Sequence, residues 1–96
     1  MDEIDRKNLN IKVLNGSGLI GAAGRAVEKL KKEGFETLSS ANADSFNYEQ
    51  TLIQYKKGRE KEAEFLNKLF DNAAELVETN NRQEDIILII GKNLSI

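Results

Sequence analysis

Apolar residues fall into two kinds of spacing along this 96-residue chain, and the change from one to the other predicts its elements. Ile11-Lys12-Val13-Leu14 places apolar residues at alternating positions with one addition, the spacing of a strand. Asn15-Gly16-Ser17-Gly18 interrupts it with turn composition. From Leu19 the interval becomes helical: Leu19, Ile20, Ala23, Ala26, Val27 and Leu30 share one face, and Arg25, Glu28, Lys29, Lys31 and Lys32 take the other. Ser17 or Gly18 is placed to cap that helix. Gly34 suits a left-handed residue past its end, with Phe35 folding back onto Leu30.

Residues 35–39 then predict a second strand and residues 40–47 a polar loop around Phe46. The β-branched and aromatic run at 51–55 predicts a third strand, closed by Lys56-Lys57-Gly58. A second helix is expected over 59–70, with Ala63, Leu66, Leu69 and Phe70 on one face. Residues 73–77 read as a short fourth strand and 79–84 as a polar loop. Ile86-Ile87-Leu88-Ile89-Ile90 is too short for a buried helix and has the continuous apolar character of a strand covered on both faces. The order β-α-β-β-α-β-β predicts an α/β (α+β) class: one small domain, a mixed sheet with two helices packed on it and the last strand near the centre. Strand–helix–strand occurs twice. Residues 1–9, charged and aperiodic, predict a flexible lead-in to a domain spanning 10–96.

This length supports one hydrophobic core, and 40% apolar with 31% charged residues is ordinary for a globular domain. A net charge of −2 argues against a broad basic surface for nucleic acid. With no cysteine and no histidine, disulfides, Cys/His zinc sites and Ser-His-Asp chemistry are excluded. No catalytic, cofactor-binding or metal-ligating residues are therefore assigned, and a non-enzymatic role is expected. No stretch approaches the ~18 apolar residues of a membrane span, and the charged start carries no leader-peptide core.

Gly16-Ser17-Gly18-Leu19-Ile20-Gly21 fits G-x-G-x-x-G between a predicted strand and a predicted helix, the context of a dinucleotide-binding turn. That chemistry needs an acidic residue near the end of the second strand. Glu36 lies too early and Asp44 past the expected end. The plainer reading is a tight joint, with Gly16 or Gly18 at positive φ and Gly21 allowing close helix–sheet packing. Asn15, Gly16, Ser17 and Gly18 remain the candidate ligand contacts if a phosphate or nucleotide binds there. A second candidate is the cluster Lys56, Lys57, Arg59 and Lys61, which concentrates positive potential for an anionic polymer but is interleaved with Glu60, Glu62 and Glu64. Those acids, and the Glu84-Asp85 pair, lack the cleft that glycoside hydrolysis requires. Phe46 and Tyr48 on the polar loop are candidate surface contacts, and Tyr55 a sheet-face residue.

Taken in order, these segments resemble a known family. Val13-Leu14-Asn15-Gly16-Ser17-Gly18 with Gly21-Ala22-Ala23 is similar to the opening signature of the LytR C-terminal domain family. The resemblance continues through Leu30, Gly34 and Phe35, the Thr51, Ile53, Tyr55 and Gly58 strand, and Ala63 and Leu66. It ends on Asp85 to Asn93, where Asn93 stands in place of the family's usual Asp. It covers about residues 10–94. It implies an extracytoplasmic accessory module of the bacterial cell envelope, met beside glycopolymer transferases and in membrane-anchored proteins, with no catalytic residues of its own. A wall polymer or envelope protein would be its partner, and any membrane anchor would come from a segment outside this chain. A docking or dimerisation module built on a sheet edge is the third reading.

Overall fold

The computed structural model describes residues 6–79 and 84–94. Five strands and two helices follow the expected order: β1 (Ile11–Asn15), α1 (Ala22–Lys32), β2 (Leu38–Asn42), β3 (Thr51–Lys56), α2 (Glu60–Leu69), β4 (Ala74–Thr79) and β5 (Ile86–Ile90). The strands form one mixed sheet in the order β2-β1-β5-β3-β4. β1 runs parallel to β2 and to β5, β3 runs parallel to β4, and β3 is antiparallel to β5. Two parallel strand–helix–strand units thus lie head to tail on either side of β5. Every residue of β5 is buried, as its unbroken apolar run requires of a central strand.

Both helices cover one face of the sheet. Ile11, Val13, Ile53, Ile86, Leu88 and Ile90 join Ala22, Ala26 and Leu30 of α1 and Ala63 and Leu66 of α2 in one cluster. Alanine at α1's contact positions lets that helix approach the sheet closely. Gly24 sits on its exposed side, and a Cβ there would meet nothing within 4 Å. Gly24→Ala is therefore expected to stabilise the domain by about 0.5–1 kcal/mol through lost unfolded-state freedom. A thermal unfolding midpoint raised by roughly 2–8 °C is the readout; a lowered midpoint would contradict it.

α1 closes as its sequence predicts. Gly34 has φ 97°, Phe35 N–H donates to Leu30 O at 3.1 Å and Gly34 N–H to Lys31 O at 3.0 Å, the paired bonds of a Schellman motif. Because Phe35 is spent on that closure and buried in the core, β2 begins three residues later than expected. It then takes in residues 40–42 of the expected loop. β2 is a polar, largely exposed edge strand held by its ladder to β1. Residues 6–9 of the expected flexible lead-in are held too. Leu9 is buried, and the Arg6 guanidinium lies 5.7 Å from the Phe35 ring centre and 5.0 Å from that of Phe65, within cation–π range. The rest of that stretch, residues 1–5, and most of the expected 79–84 loop lie outside the described residues.

At the carboxyl end of β5 the departure at Asn93 has a local account. Asn93 Oδ1 accepts from Thr51 N–H and from the Thr51 hydroxyl, both at 2.8 Å, while Asn93 Nδ2 donates to Ala73 O at 2.8 Å. An amide both accepts and donates, so one side chain ties the start of β3 to the residue before β4.

Candidate functional site

The glycine-rich turn folds onto itself. Asn15 Oδ1 accepts from Ser17 N–H at 3.1 Å and from the Ser17 hydroxyl at 2.8 Å. Asn15 Nδ2 donates to Leu19 O at 2.7 Å, and Ser17 Oγ accepts from Leu19 N–H at 3.1 Å. Leu19 is thereby fixed in the turn rather than in the helix. The expectation that the helix starts there with Ser17 or Gly18 as cap is corrected: Gly21, at φ 81°, is the N-cap, without a side-chain cap bond. Leu19 and Ile20 point outward, 51% and 95% exposed, instead of lining the apolar face. The glycine roles shift as well. Gly18 and Gly21 have positive φ, whereas Gly16 is the close-approach position, where a Cβ would lie 2.5 Å from the Tyr48 ring.

That ring belongs to the 43–50 segment, which runs across the carboxyl ends of β1 and β5. Ala43 N–H donates to Asn15 O, Tyr48 N–H to Gly16 O, and Lys92 N–H to Tyr48 O. In open α/β sheets a pyrophosphate sits beyond the carboxyl end of the first strand. Here the protein's own chain crosses that end, and the polar side chains of the turn are occupied with one another. This geometry favours the structural joint over the phosphate cradle.

The sheet face opposite the helices is different. The two-residue strand period turns Ile87 and Ile89 onto it, with Lys12 and Gln54 beside Ile87 and Leu14 and Leu52 beside Ile89. Neither of the described helices covers this face. It carries a pocket of about 240 Å³ lined by Leu14, Asp44, Tyr48, Gln54, Ile87 and Ile89. The Tyr48 hydroxyl donates to Asp44 Oδ1 at 2.7 Å, which braces the aromatic side chain. Gln54 Oε1 is fully buried with no hydrogen-bond partner among the described residues, an arrangement that folded proteins rarely leave without a reason. In sequence, Asp44 and Tyr48 carry only loop signals and Leu14, Gln54, Ile87 and Ile89 only strand signals, since nothing short of the strand order brings them together.

The basic cluster lies at the other end of the sheet. Asn15 pairs with Ile90 while Tyr55 pairs with Ile86, so β3 delivers Lys56 to the end of β5 away from the turn. Lys56 Nζ lies 3.8 Å from Asp85 Oδ1, and Arg59 approaches Glu62 at 3.3 Å and Asp85 at 3.8 Å. Lys57 and Lys61 are exposed. The Asn15–Gly18 and Lys56–Lys61 groups therefore form two separate places, not one site. Partial burial, then the charges of Glu60, Glu78 and Glu64, push the Tyr55 phenol above its ordinary 10.0. Negative field thus reaches this end as well.

Because the folded state holds the Tyr55 proton more tightly than the unfolded chain, this group's contribution to stability is intact below pH 10. It declines as pH rises through the folded-state value. An ultraviolet titration of the protein against Tyr55→Phe should show a phenol that ionises above 10.0 disappear from the variant. Ionisation of Tyr55 at or below 10.0 would refute the assignment.

Among the described residues there is no group of three or more His, Cys, Asp or Glu able to hold a metal ion. None of the described helices is long and apolar enough to cross a membrane.

No curated protein sequence matches the chain. Among solved structures, the soluble domain of a conserved hypothetical secreted protein from Mycobacterium marinum is similar, with a TM-score of 0.76 and 24% identity over 95% of this chain and 66% of that one. The C-terminal domain of RV0431 is similar with a TM-score of 0.59 and 22% identity, over 95% of this chain and 78% of that one. At these identities the likeness is one of fold, and this chain spans about two thirds of the mycobacterial domain. A family model described as LytR cell envelope-related transcriptional attenuator matches residues 8–93, from before β1 to the Asn93 tie that follows β5. The chain belongs to the LytR_C family.

Proposed function

We propose that this domain is a non-catalytic accessory module of the bacterial cell envelope that holds a wall polymer outside the membrane through the open face of its sheet. Family membership supports the envelope setting, and the fold is shared with the soluble domain of a secreted protein. LytR_C is an accessory domain family rather than a known catalytic one. In the full-length protein, a segment outside this chain supplies the membrane anchor. The observation that carries the proposal is the asymmetry of the sheet. Helices seal one face, while the other keeps a pocket with an aliphatic floor and a few convergent polar groups, the usual form of a binding site.

Cosedimentation with purified bacterial wall sacculi tests the reading, with envelope-protein capture as its competitor. Pelleting that persists as salt is raised is the expected result, because Asp44 is the one charged residue in the pocket lining. A steep loss with salt would move the contact to Lys57 and Lys61 at the other end. Failure to pellet at any ionic strength would defeat the wall-binding proposal.

A further inference from the structure

We infer that the pocket on the open sheet face takes one pyranose ring of a neutral glycan. The C–H face of the ring lies on Leu14, Ile87 and Ile89, and its hydroxyls donate to Asp44 and, as the Gln54 amide turns toward the ligand, to Gln54 Oε1. This inference rests on the binding-module reading and names the chemistry of its site.

Three properties of the lining select that ligand. The first is size. A volume of about 240 Å³ falls below the roughly 300–1,000 Å³ of sites for drug-sized molecules, so it suits a single ring and not a dinucleotide. The second is hydrogen-bond polarity. The Tyr48 hydroxyl already donates to Asp44, a carboxylate retains further acceptor positions after one bond, and Gln54 Oε1 is a buried acceptor with no donor among the described residues. The pocket therefore calls for a ligand rich in donors. The third is charge and texture. Asp44 is the one carboxylate in the lining, and no cation lines the pocket, Lys12 standing beside Ile87 outside it, which disfavours phosphate and other anions. An ammonium ion would satisfy Asp44 but leave the branched aliphatic floor wet. A pyranose meets both demands, because it carries hydroxyl donors on its rim and an apolar C–H face.

The Tyr48 ring at the mouth extends the apolar wall at little conformational cost. Gly16 is what allows it to lie there, since a Cβ at that position would run into the ring.

The test is a methyl and amide NMR titration of the intact chain with separate probes: the methyl glycosides of glucose and galactose, N-acetylglucosamine, n-butylammonium and inorganic phosphate. At millimolar concentrations at least one neutral sugar is expected to shift the Ile87 and Ile89 methyls and the Gln54 side-chain amide, while phosphate does not. Asp44→Asn, a surface change that preserves shape, and Gln54→Ala should each weaken that sugar by about tenfold. Their unchanged spectral dispersion elsewhere would show that both fold. The inference is overturned if no sugar moves these signals, if butylammonium or phosphate moves them instead, or if both variants bind as the parent does. Should the sugars fail while the domain still pellets with sacculi, the pyranose assignment falls and the binding-module reading stands. Failure of both removes the reading itself.

Discussion

Replacing Phe35 by alanine is expected to cost the domain about 3–5 kcal/mol. That is a large share of the ~5–15 kcal/mol that holds a small domain together. The side chain is 1% exposed, and its ring meets that of Phe65 from α2 at 6.1 Å between centres. The Arg6 guanidinium lies over both rings. Phe35 therefore joins the end of α1, the outer side of α2 and the residues ahead of β1 at one corner of the core. Its backbone bond to Leu30 O survives the substitution, so the loss comes from packing and not from the helix closure. Urea denaturation should show a lower midpoint with an unchanged slope. Phe65→Ala, at a half-buried partner, should cost clearly less. A Phe35→Ala penalty below about 1 kcal/mol would mean that the corner repacks, contrary to the rigidity expected of a close-packed interior.

The same residue explains one place where the elements could not be bounded from sequence. A lone Phe after Gly34 serves equally as the first residue of a strand or as the apolar partner of a helix closure, and only the second is realised. β2 itself gives almost no hydrophobic signal, because Leu38-Ser39-Ser40-Ala41-Asn42 is an edge strand whose side chains stay mostly in solvent. Its existence depends on backbone bonds to β1, which no local pattern encodes. β5 is the opposite case. Five consecutive aliphatic residues admit few placements other than the middle of a sheet, and its central position was legible for that reason.

The candidate site divides along the same line. The turn at Asn15 to Gly18 was legible because its parts are neighbours in sequence, although its inward hydrogen bonds were not. The pocket draws on β1, β3, β5 and the 43–50 segment. Those pieces meet only because the chain crosses from the β2 edge past β1 and β5 before starting β3. Alternation shows that Ile87 and Ile89 face away from Ile86, Leu88 and Ile90. It does not show that both helices choose the same side and leave the other one open. Likewise, Asp85 lies 29 positions beyond Lys56 in sequence yet 3.8 Å from it in space, so the partial neutralisation of the basic cluster has no local signature.

Gly91→Ala tests the junction on which that pocket depends. A Cβ at this position would lie 2.5 Å from the Gln50 carbonyl carbon, 2.6 Å from Thr51 N and 2.7 Å from Gln50 O. All three are main-chain atoms, so no side chain can swing aside, and the entry to β3 has to move. That entry is pinned from several directions. Gly91 N–H donates to Thr51 Oγ1 at 3.0 Å, Thr51 donates twice to Asn93 Oδ1, and Lys92 N–H holds Tyr48 O at 2.8 Å. Overpacking costs about 1–3 kcal/mol and occasionally more. A backbone-to-backbone clash in a bonded junction belongs at the top of that range, about 3 kcal/mol. Gly24→Ala supplies the control, since both changes remove similar freedom from the unfolded chain while only Gly91 faces a steric barrier. The two variants should therefore move the urea midpoint in opposite directions. Because the displaced segment carries Tyr48, the Gly91 variant should also lose the shifts at Ile87 and Ile89 on adding sugar, even under conditions where it remains folded. A Gly91→Ala protein as stable as the parent would show that β5 and the start of β3 are not locked together, and the braced position of Tyr48 over the open face would lose its physical basis.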